Sequence, residues 1–212
     1  MKAKENFNKK LLVEGNDDKH VIWALCEHFK INETFDVIDC EGIENLLIQI
    51  PVRLKQTDID TIGIIIDADT DLKSRWDNLK KIFNGQGIIL PLELPEEGLI
   101  IKSTGSITKG IWIMPNNNVN GMLEDFITFL VPNDDMLLPI VKDNLNIIES
   151  KQLNKYKPIH KSKAIIHSWL AIQEDPGTPM GLGITKRYLT TEEHVCSNLI
   201  NWLNSLFNPI SH

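Results

Sequence analysis

The sequence TIGIIIDAD, residues 61–69, is the most strand-like stretch of the chain. Its three consecutive isoleucines show no polar alternation, and acidic residues come only at its end. Such a run predicts a strand that is buried on both faces of a parallel sheet. The same strand would deliver Asp67 and Asp69 to one edge of that sheet.

Strand and helix patterns alternate around this run. Residues 9–15, KKLLVEG, and residues 35–42, FDVIDCEG, predict two strands, each followed by a helical pattern. The second of these helices contains Pro51, which we expect to end or kink it. An amphipathic helix is predicted after Asp69. Three strand–helix alternations within about 80 residues favour an α/β fold with a mainly parallel, Rossmann-like sheet flanked by helices.

The rest of the chain has two textures. The last 60 residues have helical patterns throughout. We therefore predict an α/β domain over residues 1–135 and a C-terminal helical extension over residues 136–212, packed on it as part of one structural unit. Before the extension, short apolar runs predict further strands at residues 87–94, 98–102 and 110–115.

The composition narrows the class of protein. Of the 212 residues, 42% are hydrophobic and 24% charged, as in an ordinary soluble globular protein. No segment approaches the roughly 18 apolar residues that a membrane helix needs, so we expect no membrane contact. Cys26, Cys40 and Cys196 lack metal-ligand spacing, which predicts buried free thiols and a reducing cytoplasm.

Acidic residues follow two of the predicted strands. Glu14 ends the first, and Asp67 and Asp69 end the third, at the edge where ligands collect in parallel α/β sheets. If these strands are neighbours, the carboxylates meet and repel one another. A divalent cation would offset that repulsion, and oxygen ligands without thiolate or imidazole select Mg2+ or Mn2+. Asp18 could add a further oxygen.

Helix capping is the alternative interpretation of these acids. Acidic side chains are common at helix N-termini because the free amides and the helix dipole favour them. This alone could explain Asp17, Asp18 and Asp71. It explains Glu14 and Asp67 poorly, because both lie on the strand side of their turns.

Two motifs resemble the Toprim domain: VEGNDD at residues 13–18 and DAD at residues 67–69. Toprim domains are shared by topoisomerases, bacterial primases, the overcoming-lysogenization-defect (OLD) nucleases and a ribosomal-RNA maturation nuclease. The EG-x-DD form resembles the last two most, and the resemblance covers residues 9 to about 130. Residues 110–127 and 160–185 also resemble a group of bacterial Toprim-like proteins, which brings no established substrate.

The resemblance implies roles for individual residues. Glu14 matches the Toprim glutamate, a proton-transfer group or metal ligand, and Asp67 and Asp69 match the aspartate pair that holds Mg2+. Asp18 matches a second acid of the nuclease-like forms. Glu124 or Asp125 matches a position where some relatives add another acid. The implied activity is a Mg2+-dependent phosphodiesterase or nuclease, with Glu14, Asp67 and Asp69 as catalytic residues.

The chain also departs from the family pattern. The nuclease-like forms often carry a glycine soon after the aspartate pair, and TDLKS stands here instead. Only Tyr156 and Tyr188 are tyrosines and there are no strand-passage domains, so topoisomerase activity is disfavoured. The three cysteines cannot supply the zinc module expected of a primase.

One segment has the charge needed to hold a polyanion. The net charge of −7 argues against nucleic acid covering the whole surface, yet residues 151–173 hold five lysines and no acid. The alternative is a solvated entry into a helix. PGTPMGLG, residues 176–183, lacks the features of a phosphate loop and is predicted to be a turn-rich connector. The predicted contacts to backbone phosphates are Lys155, Lys157, Lys161 and Lys163.

Two other functions stay open at this stage. One is a non-catalytic nucleic-acid or nucleotide-binding module that keeps the fold and the metal site. The other is a phosphoacceptor switch of the receiver type, in which Asp67 would be the acceptor and Lys109 the lysine before a later strand. Because Asp67 is paired with Asp69, we rank the phosphoacceptor switch third.

Overall fold

A computed structural model describes residues 5–102 and 105–209 of the chain. Within these ranges the fold is α/β, with strands and helices alternating along the first half. The strands are β1 (Lys9–Val13), β2 (Asp36–Asp39), β3 (Thr61–Asp67), β4 (Leu99–Ile101) and β5 (Thr108–Met114). The helices are α1 (Asn16–His28), α2 (Ile43–Arg53), α3 (Leu72–Asn84), α4 (Leu123–Phe129), α5 (Leu137–Ser150), α6 (Lys161–Leu170), α7 (Met180–Thr185) and α8 (His194–Phe207).

The strands form one five-stranded sheet in the order β2-β1-β3-β5-β4. β1 pairs in parallel with both β2 and β3, and β3 pairs in parallel with β5. Among the strands that the structure describes, only β4 runs antiparallel, against β5. The predicted mainly parallel α/β fold is therefore confirmed, and the carboxyl ends of β1 and β3 lie side by side.

Helices cover both faces of the sheet. The isoleucines of β3 divide between the two cores, because successive side chains of a strand point to opposite faces. Ile62, Ile64 and Ile66 pack with α2 and α3 on one face, and Ile65 packs with α1 and the C-terminal helices on the other. The uniformly apolar run is thus explained by burial on both sides.

The last helix, α8, packs directly on the sheet over a pair of glycines. Gly63 of β3 and Gly110 of β5 are partners in the strand register. A Cβ atom on Gly63 would lie 2.8 Å from Cζ of Phe207, and one on Gly110 would overlap the Leu206 side chain. These two positions need glycine because the helix comes so close to the strands.

Two segments differ from the sequence prediction. Residues 87–94 form a loop, not a strand, because Pro91 cannot donate to a ladder and Ile89 and Leu92 are 86% and 81% exposed. Part of the predicted connector is the short helix α7, which packs on α1. A Cβ atom on Gly181 would lie 2.7 Å from a backbone oxygen of α1, so this glycine permits close packing of the two helices.

Two expectations from composition can be compared with the structure. Cys26, Cys40 and Cys196 are buried free thiols, as predicted. In residues 5–102 and 105–209, no helix is both long and apolar enough to cross a membrane.

We expect Gly110→Val to lower the free energy of unfolding by about 1–3 kcal/mol, because the added side chain overpacks the contact between α8 and the sheet. Urea-induced unfolding measures this difference. Combining it with Leu206→Ala removes the two Leu206 atoms that the valine would meet and leaves Cζ2 of Trp202, 3.0 Å from the added Cβ. The double variant should therefore lose less than the sum of the two single losses, and strict additivity would contradict the packing explanation.

Candidate active site

Two carboxylates from neighbouring strands meet at the carboxyl edge of the sheet. Glu14 follows β1 and Asp67 ends β3, and the two strands are parallel neighbours. Oε1 of Glu14 accepts a hydrogen bond of 2.7 Å from the backbone N–H of Asp67. The strand order therefore produces the approach that the sequence predicted for Glu14 and Asp67.

Asp69 lies in the turn that follows β3. Its backbone has φ 54° and its N–H donates to the carbonyl of Gly121 at 2.8 Å. Its carboxylate forms an ion pair with Arg75 of α3, and Nε of Arg75 also donates to the carbonyl of Asp67 at 2.9 Å. Oδ1 of Asp67 accepts from the N–H of Leu123 at the start of α4. The predicted aspartate pair is thus held from two sides, by Arg75 of α3 and by residues 121–123 at the start of α4.

Asp18 combines helix capping with a second feature. Its Oδ2 accepts a hydrogen bond of 3.1 Å from the N–H of Gly15, as the capping interpretation expects. Its Oδ1 is buried, and no described group within hydrogen-bonding distance pairs with it. A buried carboxylate oxygen without a donor is costly, so capping does not account for the whole side chain.

Between Glu124 and Asp125, only Glu124 joins the acids of the sheet edge. Glu124 is buried in the first turn of α4, and its Oε1 lies 3.0 Å from Nζ of Lys163. Asp125 points elsewhere: its carboxylate accepts from the backbone N–H of Met122 and the hydroxyl of Ser162. Asp125 therefore caps α4 and links it to α6.

Five acids lie at the site and interact electrostatically: Glu14, Asp18, Asp67, Asp69 and Glu124. Burial raises the pKa of Asp18 to about 7, and the charge of Glu14 adds to the effect. Burial also raises the pKa of Asp67 well above its usual range, with further contributions from Glu14, Asp18, Glu124 and Asp69. The pKa of Glu14 is raised by burial and by Asp69 and Glu124, against the opposing effects of the Asp67 N–H and Arg75.

Two cations compensate part of this charge. Arg75 lies against Asp69 from the α3 side, and Lys163 reaches Glu124 from α6. Burial alone would lower the pKa of Lys163, but the ion pair with Glu124 and the charges of Asp17 and Asp67 raise it overall. A lysine of the C-terminal helices therefore belongs to the site at the sheet edge.

The donor set fits a hard divalent cation by its chemistry. It offers carboxylate oxygens without thiolate or imidazole, and Oδ1 of Asp18 has no donor among the described residues. As the side chains lie, however, the described residues include no group of three or more His, Cys, Asp or Glu arranged to hold an ion. One oxygen on each of the five acids has a protein partner, which leaves the second oxygen for a ligand. Because the described acids form no ion-holding group as they lie, metal binding would require some side chains to turn.

Sequence reasoning missed two residues that organise the site. One is Arg75 in the first turn of α3, which the sequence does not distinguish from Lys73 two residues earlier. The other is Asn120, whose side chain accepts from Leu72 N–H at 2.8 Å and donates to the carbonyl of Thr70 at 2.7 Å. Asn120 joins the loop after β5 to the loop after β3. Asp71 is a helix cap, since it accepts from the N–H of Ser74.

The four lysines predicted to bind phosphate fall into three environments. Lys155 and Lys157 are exposed. Lys161 is held by Glu149 at 2.6 Å and by Asn146 at 2.9 Å. Lys163 lies at the acidic site. Of the four predicted lysines, two are exposed, one pairs with Glu149 and one lies at the acids, so they do not form a uniform basic face.

The role predicted for Lys109 in the receiver interpretation is wrong on geometry. Lys109 pairs with Ile62 near the start of β3, whereas Asp67 pairs with Met114 at its end. The five-residue offset corresponds to roughly 16 Å along the strand. Lys109 is therefore at the opposite end of the sheet from the acids.

Comparisons with known proteins identify a family and a group of structures. A family model described as "Protein of unknown function (DUF3226)" matches residues 8–208. No curated protein matches significantly. Two solved structures of the C-terminal region of the Xanthomonas campestris pv. campestris OLD protein, phased with mercury and with platinum, are each 13% identical to the chain. The first has a TM-score of 0.41 and covers 97% of this chain and 89% of that one; the second has 0.40, 92% and 83%.

We expect Asp18→Asn to stabilise the metal-free protein at pH 8 by about 2–4 kcal/mol. The pKa of Asp18 is about 7, against an ordinary value of 3.8. Between these values the unfolded chain ionises first, so the wild type loses stability as the pH rises. Asparagine does not ionise, and the difference between the two proteins should vanish near pH 4.

Urea unfolding in EDTA from pH 4 to pH 8 measures this dependence. Asp17→Asn, which removes an exposed acid from the same helical turn, is the matched control and should show no comparable gain. A difference that is constant with pH would contradict the assignment to Asp18 ionisation.

Proposed function

This chain belongs to the DUF3226 family, and we propose that it is a divalent-metal-dependent phosphodiesterase of the Toprim type that cleaves nucleic acid. One observation carries the proposal. Five carboxylates from separate parts of the chain converge at the ligand-binding edge of the sheet, and one of them has a buried oxygen without a donor. A protein has no packing reason to assemble such a cluster, because each carboxylate raises the cost of ionising the others. The acids concerned are Glu14, Asp18, Asp67, Asp69 and Glu124.

Asp67 and Asp69 are the proposed principal ligands of Mg2+ or Mn2+, with Glu14, Asp18 and Glu124 as further oxygen donors. The resemblance of VEGNDD and DAD to the Toprim motifs supports the same assignment. When bound, the cation would neutralise phosphate charge and lower the pKa of a water molecule. The chain's own contribution is to hold the carboxylates at one edge, on turns that are fixed by Gly121 and Asn120.

As the alternative to binding the cation, Glu14 is the proposed proton-transfer group. Its Oε1 is engaged by the N–H of Asp67, which fixes the orientation of the side chain. Burial raises its pKa above that of an ordinary glutamate. A raised pKa brings a carboxyl group closer to the pH at which it can both accept and release a proton.

Lys163 is the proposed phosphate contact nearest to the acids. Its side chain is 50% exposed and pairs with Glu124, which is only 5% exposed, so it can turn towards a polyanion when a bound cation compensates the Glu124 carboxylate. Lys155 and Lys157 are the proposed outer contacts to backbone phosphates, where exposed lysines bind without reading sequence. Together they would offset the acidic net charge of the chain locally.

A binding module without catalysis is the second candidate. Two observations favour it: the glycine that often follows the aspartate pair in nuclease-like relatives is replaced by TDLKS, and the carboxylates as they lie are not arranged to hold an ion. Such a module would bind nucleic acid or a nucleotide and leave it intact. Its charge requirements are the same, so only a cleavage assay separates the two.

We expect labelled single- and double-stranded DNA or RNA to be cut with Mg2+ or Mn2+ and not with EDTA. Asp67→Asn combined with Asp69→Asn should lower the rate about 100-fold or more, because even outer-shell partners of metal ligands are worth roughly 10- to 100-fold. Asp71→Asn is the matched control, since asparagine also caps helices well. Absence of cutting by folded wild type that still binds nucleic acid would leave the binding module.

We expect Lys163→Gln to slow cleavage about tenfold, the equivalent of one charge-assisted hydrogen bond. Lys161→Gln, in the same helix, removes a charge that contacts Glu149 and should change the rate less than about twofold. Initial rates at several substrate concentrations distinguish the two. Equal losses in both variants would show that Lys163 acts only through the overall charge of the segment.

A further inference from the structure

We propose that Arg75 is a resident counter-ion of the acidic site, and that a divalent cation must displace it from Asp69 in order to bind. The inference rests on the proposed metal-dependent function and concerns how that site is filled. It makes metal binding an exchange of one cation for another. The affinity for metal is consequently lower than five free carboxylates would give.

Arg75 is held at two points on the turn that carries the aspartate pair. Its Nε donates to the carbonyl of Asp67 at 2.9 Å, and its Nη2 pairs with Oδ2 of Asp69. The arginine side chain is only 15% exposed. A guanidinium stays charged at any working pH and its fork suits this kind of double contact. Arg75 therefore directs the carboxylate of Asp69 towards α3.

The backbone of Asp69 leaves only its side chain free to respond. The residue has φ 54° and its N–H is bonded to the carbonyl of Gly121. A change in which ligand the carboxylate faces must therefore come from rotation of the side chain away from Arg75. With Arg75 in place, the described acids include no set of three that could hold an ion.

Arg75 opposes metal binding more than Lys163 does. Lys163 is a half-exposed lysine whose flexible ammonium makes a single contact, with the buried Glu124. Its release returns the ammonium to water and leaves the Glu124 carboxylate to the incoming cation. Arg75 is more buried, makes two contacts, and its charge also acts on Glu14. The same acids thus have one loosely held cation and one firmly held cation, and the second sets the affinity.

Mn2+ binding to the full-length, metal-free chain tests the proposal, measured by calorimetric titration. Arg75→Gln should bind about tenfold more tightly than the wild type, since one unit of positive charge is removed from the site. Lys73→Gln is the matched control: its charge lies two residues away on the same helix, is 87% exposed and pairs with Asp77. The control should change the Kd by less than about twofold.

Arg75→Lys separates competition from support. Lysine keeps the charge but cannot span both the Asp67 carbonyl and the Asp69 carboxylate, so its Kd should fall between those of the wild type and Arg75→Gln. If Arg75 instead supports the ligand, both variants would bind Mn2+ more weakly, and an unchanged Kd would equally overturn the proposal. If thermal unfolding shows that Arg75→Gln is not folded, Arg75→Lys decides alone. A Kd below that of the wild type supports the proposal, and an equal or higher Kd overturns it.

The outcome is separable from that of the proposed function. The Asp67→Asn, Asp69→Asn double variant shows whether Mn2+ binds at these acids at all. If Arg75→Gln binds Mn2+ more tightly than the wild type but the wild type cuts no nucleic acid, the phosphodiesterase function is excluded and the counter-ion role of Arg75 stands. If the wild type cuts nucleic acid but Arg75→Gln binds Mn2+ more weakly, the phosphodiesterase function stands and the counter-ion role is excluded. Absence of Mn2+ binding in all variants would exclude both.

Discussion

The parallel pairing of β1 with β3 is the constraint on which the candidate site depends. It fixes the residue after β1 beside the last residue of β3, and both are acids, Glu14 and Asp67. Their hydrogen bond through the Asp67 N–H holds one carboxylate in place beside the other. The other elements of the site offset the repulsion between these carboxylates. The N-terminus of α4 donates a hydrogen bond to Asp67, and Arg75 and Lys163 supply positive charge.

The helices after residue 136 contribute to the site as well as to stability. α8 closes one face of the sheet over Gly63 and Gly110, and α6 packs against α4. The link between Ser162 and Asp125 and the ion pair between Lys163 and Glu124 lie next to each other along these two helices. Positioning of a charge at the acids therefore depends on correct packing of a helix far along the chain.

The acids were predictable because their placement follows from local patterns. A buried strand that ends in Asp67 needs only the strand order to define its neighbour, and the order of a parallel sheet is restricted. Arg75 and Lys163 were not predictable as partners, because an ion pair depends on the rotation of a helix and on which helices pack together. The wrong prediction at residues 87–94 has a local cause. The apolar content of the run favours a strand, but Pro91 cannot donate to a strand ladder, and the apolar pattern alone does not show which effect prevails.

A cluster of buried and half-buried acids can be stabilised by protonation, by internal cations or by a bound metal ion. The raised pKa values of Glu14, Asp18 and Asp67 show the cost that remains after the internal cations have acted. A stronger internal counter-charge would reduce that cost further, yet it would also compete with any divalent cation for the same oxygens. Partial compensation by one arginine held at two points and one half-exposed lysine leaves Oδ1 of Asp18 without a donor among the described residues. Under the proposed function, this residual cost is what a metal ion would relieve on binding.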